Sequence, residues 1–159
     1  MSQIIEQRFA TLLGNFGLLP FYALALAAWL PLQPVSARLA ELAFVGYAAV
    51  ILSFLGAVHW GLVMANPQLA KPQVRSALGW GVLPSLLGWL ALLLATAGLP
   101  MWMVCVLLLV DFALCRVMDG TLMRQYPDAP HWYLPLRTRL TVLVMIAIAI
   151  LLVASLSSR

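Results

Sequence analysis

The chain has 159 residues, of which 64% are hydrophobic and only 9% charged, whereas a soluble domain carries about 25% charged residues. A mean hydropathy of +1.01 places it in a bilayer. No polar stretch exceeds roughly twenty residues, well short of the roughly fifty that a separate soluble domain needs. The net charge of +4 comes from Lys and Arg scattered through short loops, the pattern that sets membrane orientation, and does not indicate nucleic-acid binding.

Residues 1–11 form a short polar arm with Glu6 and Arg8. The apolar run 12–30 follows, roughly 29 Å long as a helix against a bilayer core of about 30 Å. Ala23, Ala25 and Ala27 would suit a cleaved signal peptide, but Pro20 and Trp29 inside a full-length span favour a retained helix. Pro31, Gln33 and Pro34 break the chain. The second span covers residues 39–65 and ends at Asn66-Pro67, before a polar loop carrying Lys71 and Arg75. The third covers 76–97, with Gly79, Gly81, Gly88 and an internal Pro84. Gly98-Leu99-Pro100 is an uncharged tight turn leading to the fourth span, 101–118. Residues 119–135 read as the longest loop, with Arg124, Asp128 and the aromatic trio His131, Trp132 and Tyr133. The fifth span, 136–155, is opened by Pro135 and closed by Ser157, Ser158 and Arg159. The sequence therefore predicts an all-α polytopic protein, a single five-helix transmembrane bundle.

Five spans put the termini on opposite sides. Arg8, Lys71, Arg75, Arg116, Arg124, Arg137 and Arg139 fall on the side of the N-terminus, and only Arg38 and Arg159 on the other. That bias predicts a cytoplasmic N-terminus in a bacterial inner membrane, or a matrix-facing one in a mitochondrial inner membrane. Cys105 and Cys115 stand ten apart on one helix. Roughly 15 Å of rise separates them, too far for a disulfide with each other.

The most informative stretch is 46–61. Gly46, Ala49, Ser53 and Gly56 follow one another at spacings of three, four and three, ending near Trp60. On a helix they form one seam, and small residues let a second backbone approach closely in lipid. Gly46, Ala49 and Gly56 are therefore the expected packing residues. Beside that seam sits His59, an ionisable group where hydrocarbon should be.

Polar groups inside spans are costly and mark candidate sites. His59 lies roughly 9 Å in from the cytoplasmic end of its span, and Asp111 roughly 10 Å in from the same end of span four. Pro20 and Pro84-Ser85 fall at similar depth, and each Pro frees a carbonyl four residues earlier, those of Phe16 and Trp80. The functional reading is a small polar cavity in which His59 titrates or ligates and Asp111 is its partner, with Ser85, Ser53 and Trp60 as further candidate ligand or proton-site residues. The structural reading is a His–Asp hydrogen bond that locks the bundle, or an Asp111 that snorkels or pairs with Arg116. Asp111, Cys115 and Asp119 share one helix face at i, i+4 and i+8. With His59 they could be drawn as a metal site, but no HxxxH, CxxC or ExxH spacing supports one, and no metal is assigned. No serine-based triad, phosphate loop or paired intramembrane carboxylates occur, so no catalytic residue is assigned and an enzyme is not expected. The cofactor is left unknown.

Four segments carry a family likeness: Leu18-Leu-Pro-Phe21, Ser53-Phe-Leu-Gly-Ala-Val-His-Trp-Gly61, Leu83-Pro-Ser-Leu86 and Trp132-Tyr-Leu-Pro-Leu-Arg137. Together they resemble an uncharacterised integral-membrane family, domain of unknown function 3429, the transmembrane protein 69-like proteins. The resemblance covers nearly the whole chain, and His-Trp-Gly is its most specific part. It implies a small all-helical membrane protein of bacteria and mitochondria-bearing eukaryotes, and supplies no activity or catalytic residues. Two functions follow as expectations. One is a small-ligand or proton binding or transport-type module around His59 and Asp111. The other is an accessory or assembly subunit of a larger membrane complex, such as a respiratory one. The lipid bilayer is the expected environment, with a larger complex or a homo-oligomer as protein partner.

Overall fold

The computed structural model describes residues 2–29, 34–124 and 130–157. Pro31, Gln33, Asp128, Ser158 and Arg159 lie outside them. The described residues form five helices: α1 (Ser2–Ala27), α2 (Pro34–Ala65), α3 (Lys71–Thr96), α4 (Met101–Met123) and α5 (Tyr133–Ser157). Each is long and apolar enough to cross a membrane. Each extends beyond one or both bounds of the span read from hydropathy, because polar flanking residues continue the helix past the hydrocarbon, while α1 ends at Ala27 and α3 at Thr96. Pro34 and Pro72 sit at helix starts, where a missing N–H costs nothing. Pro20 and Pro84 lie inside α1 and α3, and α3 buries Pro84.

The helices close a ring. α1 packs on α2, α2 on α3, α3 on α4, α4 on α5 and α5 back on α1, with a lesser contact between α2 and α4 across it. Chain order makes consecutive helices antiparallel, which leaves α1 and α5 as parallel neighbours. Two hydrogen bonds fix that register. Tyr22 donates to the Leu143 carbonyl at 2.9 Å, and Trp29 donates to the Ile150 carbonyl at 3.1 Å, the same offset two turns further along. Both aromatic groups satisfy their polar tip on a backbone oxygen, Tyr22 part-buried and Trp29 on the exposed surface. At the other side of α1, Tyr47 of α2 donates to the Gly17 carbonyl at 2.9 Å.

The centre of the ring is filled by Phe21, Phe44, Leu52, Leu108, Phe112, Ile148 and Leu151, all buried. The Phe21 ring meets Phe44 at 5.2 Å, Tyr47 at 4.9 Å and Phe112 at 6.2 Å, each edge-on. Such pairs contribute about 0.5–1.5 kcal/mol each beyond area burial. The outside carries Phe16, Leu39, Met64, Trp89 and Val117, all exposed. On a water-soluble protein this apolar surface would promote aggregation. On five spanning helices it is the lipid-contact surface.

The closest backbone approach joins α2 to α3. A Cβ at Gly56 would overlap the Gly81 carbonyl oxygen, and one at Gly88 would lie 2.9 Å from the Ala49 Cα. The seam is thus Ala49 and Gly56 against Gly88 and Gly81, with equal spacing on both helices. Two of the expected seam residues stand apart from it. A Cβ at Gly46 meets nothing within 4 Å, and Ser53 is exposed, its hydroxyl donating to the Ala49 carbonyl at 2.9 Å. Gly46→Ala should therefore leave the melting temperature in detergent unchanged or slightly raised, since Gly costs a helix interior about 1 kcal/mol relative to Ala. A fall as large as that of Gly56→Ala would place Gly46 in the contact after all. Cys105 and Cys115 are both buried free thiols.

Candidate functional site

His59 on α2, Asp119 on α4 and Arg137 on α5 meet inside the ring, at 1%, 1% and 7% exposure. His59 Nε2 lies 3.1 Å from Asp119 Oδ1. Arg137 Nε donates to Asp119 Oδ2 at 2.8 Å. Arg137 Nη2 is 2.7 Å from the same oxygen, but off the hydrogen-bond direction, so this is a charge contact and Nη2 keeps donor capacity. One carboxylate therefore divides its charge between an imidazole and a guanidinium, tying three helices together. His59 Nδ1 is buried without a hydrogen-bond partner.

This arrangement corrects the partner expected for His59. Asp119 reads from sequence as the first residue of a loop and Arg137 as a charge at the start of the fifth span, yet both are buried in helices. α4 does not stop at residue 118, because pairing removes the cost that would expel a lone charge from an apolar span. Once α4 ends at Met123, Asp119 lies four residues from its end and Asp111 twelve. His59, six residues from the end of α2 at Ala65, matches the first and not the second. Asp111 is buried one face-repeat deeper and accepts from Cys115 Sγ at 3.8 Å, while its Oδ2 has no partner. It does not pair with Arg116, whose Nε donates instead to Thr138 at 2.7 Å. A hint was legible: Asp111, Cys115 and Asp119 share one helix face, and all three are buried.

The other candidates sit on the α2–α3 side and satisfy backbone carbonyls. Ser85 donates to Val82 at 2.7 Å, and Trp60 Nε1 donates to Leu78 at 3.2 Å across the seam. Neither these nor Ser53 reach the His59 cluster through a hydrogen bond. Among the described residues, no group of three or more His, Cys, Asp and Glu side chains is arranged to hold a metal ion.

Beside the cluster, α1, α2 and α5 line a half-open cavity of about 410 Å³, to which Phe112 of α4 also contributes. Its lining is apolar apart from Trp132, Tyr133, Arg137 and Thr141. Trp132 Nε1 and Thr141 Oγ1 are buried without a hydrogen-bond partner, while Tyr133 lies against Arg137 and Arg137 Nη2 has only its charge contact with Asp119. Sequence reading placed Trp132 and Tyr133 in a loop and did not single out Thr141. A Thr within an apolar helix gives no signal until its neighbours are known.

A ring of five spanning helices with an apolar exterior and a buried His–Asp–Arg cluster defines a polytopic integral membrane protein. The chain belongs to the family described as protein of unknown function (DUF3429), whose model matches residues 6–153. It is similar to transmembrane protein 69 of Xenopus tropicalis, 33% identical over 141 residues, which is 87% of this chain and 51% of that protein. The chain thus spans about half the length of that relative. No solved structure matches it.

Proposed function

We propose that this protein is a non-enzymatic, transport-type binding module whose working centre is the His59–Asp119–Arg137 cluster. The observation that carries this reading is that the cluster forms one wall of an intramembrane cavity through Arg137. An imidazole against a carboxylate can hold or pass a proton, and a guanidinium stays charged. Arg137 gives the cavity a fixed cation next to that pair. A buried ion cluster contributes little net stability over apolar packing, so a binding role accounts for it better than stability alone. Asp111 lies deeper on the same helix face and is a second proton-holding group.

The protein should be extracted in mild detergent and examined by native mass spectrometry and on a native gel. The expected result is a monomer or small homo-oligomer carrying a bound small molecule. Co-migration with a large assembly, with no bound species, would replace this reading with that of an accessory or assembly subunit.

The proposed setting is a bacterial inner membrane, or the mitochondrial one in a eukaryote, with the N-terminus on the cytoplasmic or matrix side. Arg8, Lys71, Arg75, Arg116, Arg124, Arg137 and Arg139 fall at one end of the ring, which supports that orientation. A reporter fused after residue 159 should signal from the opposite side, and a cytoplasmic signal would reverse the assignment.

A further inference from the structure

We infer that the cavity between α1, α2 and α5 binds a single-chain amphiphile with an anionic oxygen headgroup, the head at Arg137 and the chain along α1. This deepens the binding-module reading above and rests on it. Among the described residues, Trp132 Nε1 and Thr141 Oγ1 are buried on this cavity without a hydrogen-bond partner, and beside them Tyr133 lies against Arg137, whose Nη2 has only its charge contact with Asp119. Arg137 and Thr141 are themselves more than nine-tenths buried. A buried donor without an acceptor is costly, and a ligand oxygen placed in the cavity would remove that cost.

The chemistry of these four groups selects the head. An indole N–H and a guanidinium only donate, and the two hydroxyls can donate. The ligand must therefore present acceptor oxygens, and a charged acceptor gains most beside Arg137.

The rest of the cavity selects the tail. The remaining walls are apolar, Leu18 and Phe21 of α1, Ile51 and Leu55 of α2 and Val144 of α5. On α5 the lining runs from Tyr133 to Val144, about 17 Å of helix rise, with Tyr133 and Arg137 in its first two turns and Thr141 a turn further in. A cavity of about 410 Å³ with such walls suits one alkyl chain. Trp132, Tyr133 and Arg137 sit at the start of α5, so the head would meet the interface and the chain the membrane interior. A free fatty acid and a single-chain lysophospholipid share this chemistry.

The test is a binding assay with tritiated palmitate and the full chain in a neutral maltoside detergent. Saturable binding near one site per chain is expected. Unlabelled palmitate or palmitoyl lysophosphatidate should displace the label, and whichever acts at the lower concentration identifies the headgroup as carboxylate or phosphate. Methyl palmitate and hexadecyltrimethylammonium should not displace it at tenfold higher concentration. Tyr133→Phe and Thr141→Val each remove one donor and leave the Arg137–Asp119 pair intact. Each should weaken binding about tenfold, the value of a hydrogen bond to a charged group. Ile51→Trp should fill the chain-binding part and abolish binding while the native-gel mobility stays unchanged. Equal displacement by the neutral ester and the cation, or unchanged binding in all three variants, would overturn the proposal. A different small molecule seen by native mass spectrometry, with no palmitate binding, would overturn this ligand class and leave the binding-module reading standing.

Discussion

Replacing Asp119 by leucine should lower the unfolding free energy by about 3–5 kcal/mol, because it leaves Arg137 buried with no counter-charge and His59 with no acceptor. The prediction rests on burial. All three groups are more than nine-tenths removed from the surface, and Asp119 is the partner of both others. An exposed pair of the same geometry would contribute about 0–1 kcal/mol. The double variant Asp119→Leu with Arg137→Met should recover most of the loss, since apolar residues of similar size can replace a buried ion pair at little cost. The measurement is a double-mutant cycle on unfolding in mixed micelles. A double variant as unstable as the sum of the singles would mean that the two side chains are solvated and not paired. The companion cycle, His59→Phe with Asp111→Leu, should be close to additive, because Asp111 bonds to Cys115 and His59 to Asp119.

Gly56→Ala should destabilise the protein by about 3 kcal/mol, the upper end of the usual cost of overpacking. The atom in the way is the Gly81 carbonyl oxygen, which belongs to a helix backbone and cannot rotate aside. α2 and α3 would have to separate along the seam, and the second contact, Ala49 against Gly88, would loosen with it. The Trp60–Leu78 hydrogen bond spans the same interface, so the change should also appear as altered indole fluorescence. Gly56→Leu should prevent the bundle from assembling. A Gly56→Ala protein with wild-type melting and an unchanged fluorescence spectrum would show that the seam is wider than described. The Gly14 position offers a contrast. A Cβ there would approach Leu140 Cδ1 at 2.7 Å, but that atom ends a flexible side chain and can move. Gly14→Ala should therefore cost under about 1 kcal/mol, as for a well-tolerated core change.

The number of spans and the membrane setting were determined by the sequence by itself. The length of an apolar run against the thickness of a bilayer is a local property that needs no neighbour. The same holds for the small-residue pattern on α2 and for His59 as the ionisable group in its apolar stretch. Which small residues touch another backbone was decided by the tertiary structure. Gly46 and Gly56 share one stripe, but helices cross, so contact is close at Gly56 and absent at Gly46. The partner of His59 was also a tertiary outcome. A helix end before Asp119 follows only if a charge ends a span. That holds only for a charge without a partner, and Arg137, eighteen residues along the chain, allows α4 to carry Asp119 inward. The cavity lay furthest from the sequence. It is the space left where parallel α1 and α5 close the ring beside α2, and its polar groups, all between Trp132 and Thr141, meet apolar walls that α1 and α2 bring from elsewhere in the chain. Unmet donors become visible only when every neighbour is in place, which is why Thr141 gave no signal until the helices were packed.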